Sequence, residues 1–158
     1  MEKQTLKPYV FWILLTEAVG LLSGWLSREG TAIFSESVVQ PPLSPPALLF
    51  PFVWAVLYAL MGISAARISL LPASPLRTGG LRLYIAQLTV NFFWSLIFFN
   101  LQAYGFAFLW LLLLWALVLR MILVFRRLDP TAARLQIPYL LWLTFAAYLN
   151  FGVWYLNR

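Results

Sequence analysis

The chain of 158 residues contains no cysteine and no histidine. The absence of cysteine excludes disulfides, thiolate metal sites and a cysteine nucleophile. The absence of histidine excludes a Ser-His-Asp triad and the usual axial ligand of haem iron. Charged residues make up only 10% of the chain, and five of them are acids. Polar catalytic machinery is therefore scarce, and we expect neither a metal site nor a resident cofactor.

Hydrophobic residues, in contrast, make up 63% of the chain, and the mean hydropathy is +0.84. A soluble domain has about 45–50% apolar and about 25% charged residues, so this composition excludes an ordinary water-soluble globule. The net charge of +6 is not a nucleic-acid signal, because the basic residues stand singly at the ends of apolar runs, as they do in membrane proteins. We therefore expect one membrane domain over residues 1–158, with the lipid bilayer as its surroundings.

Five apolar runs are long enough to cross a hydrocarbon core of about 30 Å, which takes roughly 20 helical residues. They cover about residues 8–26, 46–70, 81–101, 104–125 and 137–156. Ser44 before two prolines and Asp129 before Pro130 have the pattern of helix N-caps. Segments 71–75 and 78–80 carry the proline and glycine that interrupt helices. The sequence predicts an all-α integral membrane bundle of five transmembrane helices.

Lysine and arginine are distributed unevenly between the two sides of this bundle. One side holds only Arg28 and Arg158. The other side holds Lys3, Lys7, Arg67, Arg77, Arg82, Arg120, Arg126, Arg127 and Arg134. Cytoplasmic loops of membrane proteins carry the excess of basic residues. We therefore expect a bacterial inner-membrane protein with a cytoplasmic N-terminus and an external C-terminus.

Three of the helices place aromatic, amide or small side chains on one face. These are Phe50, Trp54 and Tyr58 on the second helix, Asn91 and Trp94 on the third, and Trp142, Ala146 and Leu149 on the fifth. If the faces converge, they line a cavity for a large planar apolar ligand. Plain helix–helix packing produces the same spacing, so periodicity alone leaves both interpretations open.

The first helix adds two features of its own. Glu17 lies near the middle of an apolar span, where an ionised acid is costly, so we expect it to be protonated or to bond Gln87 or Asn91. Gly20 and Gly24 form a small-residue pair of the kind that lets helices approach closely. The pair suits packing within the bundle or between two subunits.

Three blocks of the sequence resemble the signatures of the translocator protein family, also called tryptophan-rich sensory proteins (TspO/MBR). They are residues 40–46 together with 52–62, residues 91–99, and residues 137–150. The resemblance implies a five-helix bundle, often a homodimer, with a pocket beside the long first loop. It also implies that this pocket binds porphyrins and, in some members, isoquinoline or benzodiazepine-type drugs and sterols. The family's pocket positions correspond to Trp54, Asn91, Trp142 and Ala146, with Phe50, Tyr58 and Pro45 as further lining.

The leading functional hypothesis is a membrane receptor or sensor for protoporphyrin-type tetrapyrroles and related hydrophobic ligands, which it would also transport. Trp54 and Trp142 would pack on the macrocycle, Asn91 would bond an oxygen at its edge, and Arg28 would meet a propionate. Since histidine and cysteine are absent, we expect a metal-free porphyrin. The alternative is an enzyme that degrades porphyrin with light and oxygen, using Trp54 and Trp142 as the reactive pair.

Overall fold

The computed structural model describes residues 3–158, with side chains from Thr5 onward. Its helices are α1 (Lys3–Leu26), α2 (Arg28–Ser37), α3 (Leu49–Ser69), α4 (Pro75–Ser95), α5 (Tyr104–Leu128), α6 (Pro130–Leu135) and α7 (Ile137–Leu156). A π-helical turn, Leu96–Asn100, continues α4. Five spans are long and apolar enough to cross a membrane, namely α1, α3, α4 with its π-helical turn, α5, and α6 together with α7. The predicted all-α bundle of five membrane-spanning helices is confirmed.

The five spans form a ring in the order α3, α1, α4, α5, α7, in which α3 and α7 touch only lightly. We call the end where α1 and α4 begin and α3 and α5 end the arginine-rich end, and the opposite end the loop end. The fully buried large side chains in the middle of the ring include Met61, Tyr84, Leu111, Phe125 and Tyr139. The aromatic part of this core is what positions the candidate site.

Two of the expected helix signals are wrong. Ser44 does not cap the second span, because its hydroxyl donates to the Pro41 carbonyl at 2.7 Å and α3 begins only at Leu49. Residues 78–80 do not interrupt the chain but lie inside α4. That helix begins at Pro75 rather than near residue 81, behind Ser74, whose hydroxyl oxygen accepts the Arg77 N–H at 3.1 Å.

Gly80 explains why a glycine pair stands inside α4. A Cβ at this position would lie 3.2 Å from the Phe125 ring and 3.3 Å from Val124, so the missing side chain lets α4 approach α5. Sequence alone does not distinguish a loop glycine from one at a helix contact, and the predicted break at residues 78–80 is wrong for this reason.

Asp129 is an N-cap as expected, but of the short helix α6 that precedes α7. Its carboxylate accepts the Thr131 N–H at 3.1 Å and forms an ion pair with Arg67 at 2.8 Å. Burial raises the pKa of Asp129, but the hydrogen bonds and charge of Arg67 and the backbone N–H groups of Thr131 and Ala132 outweigh it, so the pKa is lowered. The pair joins the end of α3 to the start of α6 at the arginine-rich end.

The long first loop contains a helix that the sequence did not predict. Helix α2 lies against the π-helical turn, with the Phe34 ring 5.3 Å from both Phe98 and Phe99. A Cβ on Gly30 would come within 2.7 Å of the Phe99 carbonyl carbon, so this glycine allows the close contact. Helix α2 therefore covers the loop end of α4.

Glycines also set the contact of α1 with α3. A Cβ on Gly62 would lie 2.6 Å from the Ile13 Cα, so the two backbones touch there. Gly20 leaves room for the Tyr58 ring, whereas Gly24 faces open space. The two glycines of the α1 pair therefore have different surroundings, and Gly20 packs inside the bundle.

Candidate ligand site between α3, α4 and α7

Trp54 of α3 is the centre of an aromatic cluster. Its ring centroid lies 5.3 Å from Tyr58, 6.2 Å from Tyr139 and 6.3 Å from Trp142 of α7. The planes of the two indoles are nearly perpendicular at 89°, and Phe50 stands 5.8 Å from Trp142. Edge-to-face contacts at these distances are favourable. The predicted aromatic faces of α3 and α7 thus come together.

Asn91 of α4 lies beneath this cluster in a buried hydrogen-bond network. Tyr58 donates its hydroxyl proton to Asn91 Oδ1 at 3.1 Å, and Asn91 Nδ2 donates to the Tyr139 hydroxyl at 2.7 Å. The Tyr139 hydroxyl in turn donates to Gln87 Oε1 at 2.8 Å. Both polar atoms of Asn91 already have protein partners, so its first role is to hold the two tyrosines.

Tyr139 connects the network to the rings, and the sequence reasoning missed it. It is fully buried, contacts Trp54 through its ring and bonds two amides through its hydroxyl. The signal was present, because positions 139, 142, 146 and 150 follow one another at steps of three and four residues. Extending the α7 stripe by one turn would have included Tyr139.

Trp142 supplies a free hydrogen-bond donor. Its Nε1 is buried and has no hydrogen-bond partner among the described residues, and the same is true of Gln87 Nε2. A buried donor without a partner costs free energy, and in native structures a water or a ligand can satisfy such a group. The cluster therefore combines an aromatic wall with an N–H that an acceptor on a ligand would satisfy.

Trp94 lies apart from the two tryptophans with which it was grouped. It stacks on Phe98 at 5.0 Å and donates its indole N–H to Asn150 Oδ1 at 3.1 Å. No ring contact in the described chain joins it to Trp54 or Trp142. Trp94 thus belongs to a second aromatic cluster towards the loop end.

The other predicted lining positions differ in burial. Ala146 is buried in the main core, while Phe50, Pro45 and Leu149 are half-buried. Arg28 lies at the junction of α1 and α2, where its guanidinium stands 4.2 Å over the Trp25 ring and donates to the Trp25 carbonyl at 2.7 Å.

Of the two expectations for Glu17, a hydrogen bond to Gln87 or Asn91 is wrong, whereas a protonated Glu17 stays a prediction. Tyr58 and Tyr139 occupy the amide oxygens of Asn91 and Gln87, and Gln87 Nε2 has no partner in the described chain. Asn91 Nδ2 donates to Tyr139 instead.

The segment that leads into α3 is held against the outer turns of α7. We call residues 39–48 the strap. Asn157 makes two hydrogen bonds with the backbone of Val39, accepting its N–H at 3.0 Å and donating to its carbonyl at 2.7 Å. The Tyr148 hydroxyl donates to the Pro42 carbonyl at 2.7 Å. The strap thus crosses from the loop end of α7 to the start of α3, the helix that carries Trp54.

Two hollows lie elsewhere in the described chain. One, of about 250 Å³, is on the outside of α1 and α4, and the other, of about 260 Å³, is where α2 meets the π-helical turn. Neither is lined by Trp54, Asn91 or Trp142. Between α3 and α7, the rings of Trp54 and Trp142 contact each other directly.

Comparison with known proteins supports the fold. The TspO/MBR family model matches residues 11–156. The chain is 41% identical to Protein CrtK of Rhodobacter capsulatus, over 80% of this chain and 82% of that protein. It is 33% identical to the Tryptophan-rich protein TspO of Chlorobaculum tepidum, over 99% of each. It is 34% identical to the Translocator protein of Ovis aries, over 96% and 90%. The chain therefore belongs to the TspO/MBR family of sensory and translocator proteins, and it is an integral multi-pass membrane protein.

Proposed function

We propose that this protein is a membrane sensor that binds porphyrin-type tetrapyrroles and related flat hydrophobic molecules between α3, α4 and α7. The observation that carries the proposal is the meeting of Trp54 and Trp142 at 6.3 Å, beside a Trp142 N–H that has no described protein partner. The names of its relatives, translocator protein and tryptophan-rich sensory protein, support a sensor or translocator role.

The side chains of the site would divide the work of binding. A porphyrin offers two apolar faces, and aromatic contacts with Trp54 and Trp142 would replace the present contact between the two indoles. The Trp142 N–H would donate to an acceptor at the edge of the macrocycle. Asn91 would act indirectly, because it fixes Tyr58 and Tyr139 below the ligand. A chain without histidine or cysteine favours a metal-free porphyrin.

Titration with protoporphyrin, followed by the absorbance of the porphyrin itself, tests this proposal. A Trp54→Leu, Trp142→Leu double variant removes two aromatic contacts of about 0.5–1.5 kcal/mol each, which predicts a Kd weaker by about five- to 150-fold. The matched control is a Trp25→Leu, Trp154→Leu double variant, which changes two exposed tryptophans. An unchanged Kd in the first variant contradicts the proposed site.

A second candidate function, breakdown of the bound porphyrin with light and oxygen, is favoured by the same pair of indoles. The porphyrin would absorb the light and molecular oxygen would be the oxidant. Trp54 and Trp142, at 6.3 Å from each other, would be the side chains that react. Illumination in air should give a defined tetrapyrrole product that the Trp54→Phe, Trp142→Phe variant does not form. General bleaching in both proteins contradicts an enzymatic role.

We also propose a cytoplasmic N-terminus and an external C-terminus in a bacterial inner membrane, from the excess of basic residues at the arginine-rich end. The chain has no cysteine, so a single cysteine introduced at Thr78 or at Ser35 reports sidedness cleanly. An impermeant thiol reagent added to intact spheroplasts should label the Ser35→Cys variant and not the Thr78→Cys variant. The reverse pattern contradicts this orientation.

Dimer formation and transport are further proposals that rest on the family resemblance. The mass of the complex in native mass spectrometry tests for a homodimer, and a single monomer mass at all concentrations contradicts it. Porphyrin flux into proteoliposomes tests for transport, with empty liposomes as the control.

A further inference from the structure

The outer surface of α1 and α4 carries a groove that the proposed function does not use. Helices α1 and α4 run in the same direction and are joined by a hydrogen bond between Thr16 and the Tyr84 hydroxyl. A second bond runs from the Ser23 hydroxyl to the Phe92 carbonyl at 3.0 Å. The groove lies on the outside of this pair and is lined by Leu15, Val19, Ile85, Leu88, Thr89 and Phe92. Its shape is thus fixed by contacts at both of its ends.

The wall of the groove is chemically apolar. Thr89 is the polar residue among its lining, and the Thr89 hydroxyl donates to the Ile85 carbonyl of its own helix at 2.8 Å. No donor is left to face an occupant. The volume of about 250 Å³ therefore suits a hydrocarbon segment.

A basic residue stands just beyond one end of the groove. Arg82 is exposed on α4, three residues before Ile85 towards the arginine-rich end, a rise of about 4.5 Å along the helix. It forms no ion pair or hydrogen bond with the rest of the described chain. An arginine at this depth extends its guanidinium towards the lipid phosphates.

The acids of the described chain do not neutralise Arg82. Asp129 is paired with Arg67, and Glu29 and Glu36 lie on α2 at the loop end. Glu17 is two residues from both Leu15 and Val19, which places it on the opposite face of α1. Among the described residues, Arg82 is therefore an unneutralised positive charge at the end of the groove.

We propose that the α1–α4 groove binds one anionic phospholipid, with an acyl chain along the groove and the phosphate at Arg82. One such molecule supplies an acyl chain for the apolar groove and, next to it, a negative charge for Arg82. A second copy of the chain fits less well. A symmetric pairing through this face brings two unneutralised Arg82 side chains together and supplies no anion. The site is independent of the aromatic site between α3 and α7.

Native mass spectrometry of the detergent-solubilised full chain, mixed with equal phosphatidylglycerol and phosphatidylcholine of the same acyl chains, tests the proposal. We expect the wild-type protein to retain phosphatidylglycerol preferentially. An Arg82→Gln variant should bind it about fivefold more weakly, as expected for one arginine near a membrane surface. Arg134→Gln is the matched control, because it removes an exposed arginine of α6 at the same end. Equal losses in both variants indicate a general charge effect and overturn the site.

Two further variants test the groove itself. Thr89→Trp places a large ring on the exposed side of α4 and should remove the retained lipid of either kind, while Arg82 and the unfolding temperature stay unchanged. Undiminished retention overturns the proposal. A Thr89→Cys variant, in a chain without other cysteines, shows whether a second copy occupies the face. Rapid disulfide-linked dimer formation with loss of the retained lipid overturns it as well.

Discussion

Replacing Tyr139 by phenylalanine tests whether the amide and tyrosine network holds the candidate site together. The change removes the hydroxyl that accepts from Asn91 at 2.7 Å and donates to Gln87 at 2.8 Å. Hydrogen bonds between helices in a bilayer contribute about 0.6 kcal/mol on average and about 1.7 kcal/mol at most. Two lost bonds therefore predict a fall of about 1–3 kcal/mol in the free energy of unfolding. The higher value applies if the buried amide groups stay unpaired.

The assay is equilibrium unfolding in mixed micelles, followed by helical circular dichroism in the absence of ligand. Tyr148→Phe is the matched control, because Tyr148 is exposed on the same helix and donates one hydrogen bond, to the Pro42 carbonyl. We expect that control to change the unfolding free energy by less than about 0.5 kcal/mol.

A double variant shows whether the bonds act as one unit. Asn91→Leu and Tyr139→Phe share a hydrogen bond, so their combined cost should be smaller than the sum of the single costs. Strict additivity, or a Tyr139→Phe protein as stable as the wild type, refutes the view that Asn91 serves the tyrosines. An effect of Asn91→Leu on porphyrin affinity alone, with stability unchanged, refutes it too and makes Asn91 a direct ligand contact.

Other changes test the frame around the site. Gly62→Ala should cost about 1–3 kcal/mol, because the new Cβ would lie 2.6 Å from the Ile13 Cα and overpacking costs this much; Gly24→Ala, which faces open space, should cost nothing measurable. Asp129→Ala should destabilise α6 by about 0.5–2 kcal/mol through loss of the N-cap, whereas asparagine keeps the cap. The lowered pKa of Asp129 gives stability that is present above its ordinary pKa and lost as the pH falls through the folded value, so Asp129→Asn should flatten the acid side of the unfolding profile. Asn157→Ala should release the strap and speed proteolysis within residues 39–48, and an unchanged cleavage rate contradicts its anchoring role.

The sequence predicts much of this fold because a helix that crosses a lipid bilayer must be about 20 residues long and mostly apolar. The five spans follow from apolar runs of about 20 residues. The sequence did not predict helix α2, because its ten residues are too polar for a membrane span. The contact of Phe34 with the π-helical turn holds this helix in place. The predicted break at Gly80 was wrong for a related reason. Gly80 contacts α5, and only the packed bundle reveals that contact.

The sequence identified the aromatic residues of the candidate site but not its hydrogen bonds. Spacing placed Trp54 and Trp142 each on one face of its helix but left open whether the faces converge, and the structure brings the two rings together. Spacing could not show that both polar atoms of Asn91 would form hydrogen bonds with tyrosines, because such partners depend on the rotation of each helix and its depth in the bundle. Trp94 lies one helical turn beyond Asn91 towards the loop end, where it contacts Phe98 and Phe99 of the π-helical turn instead.

If the proposed site binds a ligand, the closed hydrogen-bond network beneath its rings limits how selective that binding can be. Most polar groups of this network bond one another, through Tyr58, Asn91, Tyr139 and Gln87. The network therefore offers a ligand few hydrogen bonds, and the shape of the ligand would mainly decide whether it binds. Enclosures of this kind discriminate between near-isosteres by only about 10–200-fold. Natural pigments and synthetic aromatic compounds of similar size would then compete for the proposed site. Their concentrations in the surrounding bilayer would largely decide which of them is bound in a cell.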